Sequence, residues 1–166
     1  EYSPYLEVLE KSNNPEHCMV VACAMLIQGK NALAEFYAYK ALYLLNGEDN
    51  YQIYQSYFSF FNYNLYRFRE KATLRSITGS VVVMLKEDDG ERCFEICLDP
   101  ESDFSDETNR SMCVEHLIPS NPDYIKLGGC GLGQILHFRN GKYKIVQILP
   151  RSQYALNFIL RKIKEK

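Results

Sequence analysis

Residues 80–98 read Ser80-Val-Val-Val-Met-Leu-Lys-Glu-Asp-Asp-Gly-Glu-Arg-Cys-Phe-Glu-Ile-Cys-Leu98. The first part of this stretch is β-branched and apolar, and the last part alternates apolar with polar residues, as strands do. Asp88-Asp89-Gly90 between them is a turn sequence. The stretch therefore predicts a β-hairpin from Val81 to Leu98.

The chain after this hairpin continues the strand pattern. It predicts strands over Ser111 to Ile118, Gln134 to Phe138 and Lys142 to Ile148, with Asn140-Gly141 as a two-residue hairpin turn. Pro122 to Leu127 predicts one short helix, because proline fits a first helical turn. Since short turns join neighbouring strands, we expect an antiparallel sheet.

In the sequence before and after the sheet part, apolar residues recur at helical spacing. Before it, we predict helices from Pro15 to near Gly29, from Asn31 to Leu45 with a stop at Asn46-Gly47, and after an N-cap at Asp49 as far as Phe68. After it, an amphipathic helix is predicted. The chain is then an α+β protein, with helical hairpins over 1–75, a sheet domain over 76–149 and a C-terminal helix over 150–166.

Composition and charge exclude several classes of protein. The 166 residues are 46% hydrophobic and carry a net charge of -2, which fits a folded chain and argues against disorder. Residues 76–149 hold 7 basic and 12 acidic side chains, whereas 150–166 hold 5 and 1. Such a balance disfavours direct, sequence-specific nucleic-acid binding, and no apolar run is long enough for a membrane span. A first residue of Glu1 suggests a processed chain or a piece of a longer one.

Residues with catalytic or metal-binding potential are scattered. The six cysteines lack zinc or redox spacing, which favours buried, reduced thiols in a cytoplasmic protein. His17, His116 and His137 are far apart in the sequence and form no ligand motif. We therefore expect no metal, no cofactor, no catalytic residue and no enzymatic activity.

Small residues in the first helix pair follow the frame A-x6-G-x4-A-x6-A, at Ala22, Gly29, Ala34 and Ala41. Two short helices that pack closely need small residues where they cross and glycine where the chain turns. The pattern resembles a tetratricopeptide repeat, with an ordinary helical hairpin as the alternative. Ten of the 13 tyrosines precede Arg75, so we expect the helical part to bind another protein or a peptide.

A second resemblance covers the sheet part. Its motifs fall in one order: Gly79 to Leu85, Phe94 to Leu98, Asn121-Pro122, Gly129, Gly133, and Asn140 to Ile148. This order resembles the C-terminal domain of the Gre transcript-cleavage factors, which has an FKBP-like fold. In that family Ser-Pro begins the short helix, a Lys follows the glycine and an Asp precedes the next strand, whereas this chain has Asn121, Cys130 and Gln134.

The Gre resemblance implies a function in transcription elongation. The family domain docks on bacterial RNA polymerase, which makes Asn121, Pro122, Tyr124 and Gly129 the predicted contact residues. Catalysis in that family depends on an acidic coiled-coil tip, and the nearest counterpart here, Glu48-Asp49, has the wrong spacing. A non-catalytic protein-binding module is therefore predicted. A scaffold whose Gre-like domain no longer binds polymerase and a prolyl isomerase are the alternatives.

Overall fold

The computed structural model describes residues 4–63, 74–77, 79–101, 103–104, 108–109, 112 and 114–165. These residues form both helices and a sheet, which confirms the α+β class. Their elements are α1 (Pro4–Glu10), α2 (Pro15–Ile27), α3 (Asn31–Tyr43), α4 (Tyr51–Tyr63), β1 (Val81–Glu87), β2 (Cys93–Leu98), β3 (Thr108–Asn109), β4 (Val114–Leu117), α5 (Pro122–Gly128), β5 (Ile135–Phe138), β6 (Gly141–Pro150) and α6 (Arg151–Glu165).

The chain divides into two units, which are described separately. A helical unit comprises Glu1–Arg69 and Ala155–Lys166, and a sheet unit comprises Glu70–Tyr154. Within the described residues no helix combines the length and the apolar character needed to cross a bilayer.

Small residues allow α2 and α3 to pack closely in the helical unit. Ala22, Ala34 and Ala41 are completely buried, as their spacing predicts. Gly29 lies in the turn between the two helices with φ +76°, a conformation that glycine adopts without a steric penalty. The side-chain oxygen of Asn14 accepts a hydrogen bond from the Glu16 amide at 2.8 Å and caps the start of α2.

The connection between α3 and α4 corrects one prediction. Asn46 (φ 47°) and Gly47 (φ 93°) adopt the left-handed conformation expected after a helix. Asn50, not Asp49, caps α4, because its side-chain oxygen accepts the Ile53 amide at 3.1 Å. Asp49 accepts instead from the Tyr54 hydroxyl at 2.8 Å. The predicted continuation of this helix from 64 to 68 lies outside the described residues.

The C-terminal helix has the predicted amphipathic character. Ala155, Phe158 and Ile159 are buried, whereas Lys164 is exposed. Within the helical unit the ring of Phe158 meets that of Tyr54 edge-on, with centroids 6.1 Å apart. An apolar stripe therefore holds α6, and its exposed lysine suits the negative end of the helix dipole.

The sheet has the strand order β3-β4-β2-β1-β6-β5. β1 pairs antiparallel with β2 and β6, and β5 pairs antiparallel with β6. β2 and β4 pair in parallel, so the expected all-antiparallel sheet is wrong and the sheet is mixed. Residues 99–113 join these two strands. A parallel pair needs a connection long enough to return to the end of the sheet where β2 begins, and a tight turn is too short for this.

The β5–β6 turn lies one residue earlier than predicted. Its central residues are Arg139 (φ 43°) and Asn140 (φ 64°), both left-handed as a type I′ turn requires, and Gly141 pairs with Phe138 in the ladder. A Cβ at Gly141 would lie 2.6 Å from the ring of Tyr143, so this strand position needs glycine.

The main core of the sheet unit lies between one sheet face and α5. Val83 of β1, Ile96 of β2 and Ile145 of β6 are completely buried there, together with Leu127 of α5. On the same helix Ile125 is 68% exposed. One leucine therefore anchors α5 to the sheet and leaves the neighbouring isoleucine facing solvent.

The opposite sheet face is covered near the first residues of β1. Val82, Cys97 and Leu149 pair across three strands there and are buried. In the sheet unit, Asp99 accepts the Phe104 amide at 2.9 Å and lies 4.0 Å from Arg151, and both charged side chains are buried. This ion pair connects the loop after β2 with the first turn of α6.

Cysteine burial only partly follows the expectation. The five cysteines in the described part of the chain form no disulfide. Cys18 and Cys97 are buried, whereas Cys23 and Cys93 are exposed. Burial raises the pKa of the Cys18 thiol, and the same cause raises that of Cys130.

Replacing the anchor of α5 should destabilise the sheet unit. We expect Leu127→Ala to lower the free energy of unfolding by about 2–5 kcal/mol, because a fully buried leucine leaves a cavity. Ile125→Ala on the same helix should change it by less than about 0.5 kcal/mol. Urea unfolding followed through the amide NMR signals of the sheet unit measures both. Equal losses would contradict this assignment of the buried and exposed faces of α5.

Candidate functional site

The predicted contact residues all belong to α5 and its ends. Asn121 is the N-cap, and its side-chain oxygen accepts the Asp123 amide at 2.8 Å. Pro122 occupies the first helical turn and is exposed. Gly129 is the C-cap at the other end of the helix. The structure therefore brings Asn121, Pro122, Tyr124 and Gly129 together on one short helix.

Tyr124 is partly buried against the core of the sheet unit. Burial raises the pKa of its hydroxyl, and the negative charges of Asp99 and Glu101 raise it further. The group is thus a neutral phenol at physiological pH, which can donate or accept one hydrogen bond.

The segment after α5 is rich in glycine. Of Gly128, Gly129, Gly131 and Gly133, only Gly133 has a positive φ, at 85°. Gly133 donates its amide to the Ile145 carbonyl at 2.8 Å, which ties the segment to β6. A Cβ at Gly129 would meet nothing within 4 Å. The backbone and the available space therefore leave Gly129 open to other residues.

Arg139 belongs to none of the motifs that the sequence shows. Its Nε donates to Asp123 of α5 at 2.9 Å, and its Nη1 donates to Glu115 of β4 at 2.9 Å. Its second terminal nitrogen also contacts Glu115, so that pair is bidentate. The hydrogen bonds that Arg139 donates to Glu115 and Asp123 raise the pKa of its guanidinium, although partial burial opposes this shift. One side chain therefore joins the β5–β6 turn to α5 and β4.

Aromatic rings support the same guanidinium. Its central carbon lies 4.9 Å from the ring centroid of Phe138 and 5.4 Å from that of Phe94. A cation is attracted more strongly to the face of an aromatic ring when it is partly removed from water, as this guanidinium is. Arg139 is thus held from several sides and fixes the orientation of α5 on the sheet.

Exposed apolar side chains accompany α5. Besides Ile125, Leu132 in the following loop is 39% exposed. A helical wheel could have found Ile125, because Tyr124 and Leu127 share the core side of the helix and Ile125 points away from them. Apolar exposure within one segment is typical of protein-binding surfaces.

A separate apolar groove of about 870 Å³ lies in the helical unit, between α2 and α4. Val20 and Ile27 of α2 line it and are exposed, at 54% and 86%. Ile53 and Phe60 line the α4 side, together with the polar residues Gln52, Gln55, Ser56 and Ser59. Glu16 is the charged residue of its lining, so the groove suits apolar side chains of a peptide.

The remaining candidates from the sequence are engaged elsewhere. Asp49 accepts from Tyr54 and pairs with Lys162 at 3.4 Å. His17 shares a hydrogen bond of 2.7 Å with Ser12, His116 is buried beside Phe104, and His137 is exposed on β5. No group of three or more potential metal ligands occurs in the described part of the chain.

Comparisons with protein-family models, with curated proteins and with solved structures gave no match to this chain.

Removing the Arg139 guanidinium should loosen α5. Arg139→Asn keeps a residue that tolerates the left-handed turn. We expect it to lower the free energy of unfolding by roughly 1–2 kcal/mol, since the ion pairs are bidentate but partly exposed. This loss of stability should be smaller in 1 M NaCl, because the Debye length is about 3 Å at that ionic strength and the ion pairs are screened.

Lys11→Asn provides the control, because Lys11 pairs with Glu7 at 4.0 Å between exposed side chains. Its effect should stay below about 0.5 kcal/mol. Urea unfolding at both salt concentrations measures the two variants. A loss for Arg139→Asn no larger than that of Lys11→Asn would contradict the positioning role.

Proposed function

We propose that this chain is a non-catalytic protein-binding module of the cytoplasm, whose sheet unit docks on bacterial RNA polymerase as a transcription elongation factor. The exposed Ile125 on a firmly held α5 is the observation that carries the proposal. Leu127 anchors this helix, Asn121 caps it and Arg139 joins it to two further elements. A rigid apolar projection of this kind binds a partner without a large loss of conformational entropy.

The Gre resemblance supplies the partner. In support, α5 lies between β4 and β5 in the chain, begins at Pro122 after the Asn121 cap and is followed by the C-cap Gly129, in the order that resembles the Gre motif. We therefore propose an FKBP-like, Gre-type fold for the sheet unit. The close packing of Ala22, Ala34 and Ala41 supports a tetratricopeptide-like α2–α3 pair in the helical unit.

Aromatic packing favours docking over prolyl isomerisation. Phe138 and Tyr143 are buried, and their ring centroids lie 6.2 Å apart. The ring of Phe94 lies 5.6 Å from that of Phe138 and 5.3 Å from that of Tyr143. These three rings pack on one another, whereas an isomerase needs aromatic rings that line an open pocket.

A scaffold that has lost polymerase binding is the alternative for the sheet unit. It rests on the departures from the family pattern at Asn121, Cys130 and Gln134. Of these, Asn121 keeps the capping role of a serine, because both residues accept the amide two positions on. Gln134 accepts the Gly131 amide through its side chain at 3.2 Å and so acts within its own loop.

Docking through α5 can be tested with one substitution. We expect Ile125→Asp to weaken binding to immobilised core RNA polymerase by about ten-fold or more, because it places a charge in an apolar contact. Val8→Asp is the matched control, since Val8 is 71% exposed on α1. Surface plasmon resonance at low salt measures both, with a Gre factor as the positive control. No binding of the unmodified chain would favour the scaffold alternative.

The α2–α4 groove is where we propose that the helical unit binds a peptide. Peptides selected from a displayed library on the immobilised chain should carry apolar residues, because Val20, Ile27 and Phe60 line the groove. Ile27→Asp should reduce their capture by about ten-fold, and Val8→Asp should leave it unchanged. Selected peptides that bind the Ile27→Asp protein equally well would place the site elsewhere.

A further inference from the structure

The sheet face opposite α5 becomes uncovered toward the last residues of β1. The β-ladder places Ile135, Lys144, Lys86 and Cys93 in one row across β5, β6, β1 and β2. All four side chains are exposed. His137 and Lys142 form the adjacent row on β5 and β6 and are also exposed. Lys86, Lys142, Lys144, His137 and Ile135 are called the lysine face below.

Lys86 and Lys144 lie directly opposite each other on neighbouring strands. Directly opposed side chains have Cβ atoms about 4.5–5.5 Å apart, and like charges in such pairs destabilise a sheet. Lys142 is partly neutralised by Asp88, 3.6 Å away. Neither Lys86 nor Lys144 has an ion pair within the described part of the chain. Two cationic side chains therefore lie opposite each other at this position of the sheet.

Protection of a sheet edge does not account for this pair. Exposed lysines often guard edge strands against pairing with other chains. β1, however, is an inner strand, with β2 on one side and β6 on the other. Solubility does not account for it either, because the lysines reduce the net charge of a sheet part that already has 12 acidic against 7 basic residues.

The surroundings of the lysine face define the charge that it can bind. Glu95 of β2 lies on the same side of the sheet, and the Tyr154 hydroxyl donates to it. Asp88 is engaged by Lys142, and Asp89 and Glu91 lie in the β1–β2 turn at its border. The acidic border repels a long polyanion such as nucleic acid, which needs an extended basic surface. A short segment with a few carboxylates avoids that border.

We propose that the lysine face binds an extended, acidic segment of a partner protein. Same-side residues in an extended chain lie about 6.6–6.8 Å apart. A segment lying along β6 would place one carboxylate between Lys86 and Lys144 and the next same-side carboxylate beside Lys142 and His137. Ile135 and the exposed Val146 offer apolar contact next to these charges. Recognition therefore requires acidic residues at alternate positions and an apolar residue beside them.

Amide NMR of the labelled full chain tests this surface. The probe is a short capped peptide with two glutamates at alternate positions and a valine at the next alternate position, so that all three side chains point to the same side. We expect saturable shifts at the amides of Lys86, Lys144 and Ile135. Lys86→Glu should weaken binding by about ten-fold or more, because the central cation becomes an anion. Its melting temperature should equal or exceed that of the unmodified chain, because the opposed charges then attract.

Lys164→Glu is the matched control, because it makes the same change in net charge on α6 and Lys164 is exposed. It should alter peptide binding by less than about two-fold. Ile125→Asp should also keep peptide binding, which separates this surface from the proposed polymerase contact. Absence of shifts at millimolar peptide, an equal loss in Lys164→Glu, or tighter binding of an oligothymidylate of equal charge would each overturn the proposal.

Discussion

The central strand β1 is buried on both faces where it begins and on only one face where it ends. Val81, Val82 and Val83 are all buried, so the first part of the strand needs cover on both sides. Three residues further on, Lys86 is exposed while Leu85 remains in the core. Because β2 and β6 both pair with β1, they follow the same change from two-sided to one-sided burial. The rest of the sheet unit is arranged around this change.

The two faces of the sheet offer different chemistry to partners as a result. One face carries α5, whose inner side chain Leu127 is buried and whose outer side chain Ile125 is open to apolar contact. The other face carries lysines where its cover ends. Arg139 connects the α5 side to the rest of the unit, since it contacts α5, β4 and two aromatic rings. A partner on one face therefore need not compete with a partner on the other.

Local signals in the sequence predicted most of the elements and few of the contacts between them. The Val81 to Leu98 hairpin and the helix at Pro122 follow from short-range patterns, and both were confirmed. The parallel β2–β4 pair was missed, because strand pairing at long range leaves no local signature. The Asp49 cap was wrong, because Asn50 is an equally good capping residue. Asn50 accepts the Ile53 amide, whereas Asp49 accepts the Tyr54 hydroxyl.

The candidate sites show the same limit. The α5 segment could be located because its turn and capping residues are contiguous. Arg139 could not, because its partners Glu115 and Asp123 lie 24 and 16 residues away in the chain. The position of Lys86 opposite Lys144 follows from the β1–β6 register, which no local sequence pattern indicates. That pairing joins Val81 to Pro150, so β1 leaves the ribosome well before its second neighbour is made. Until β6 is made, one edge of β1 with its three valines has no partner strand and is able to pair with another nascent chain. Rapid formation of the β1–β2 hairpin satisfies the other edge first.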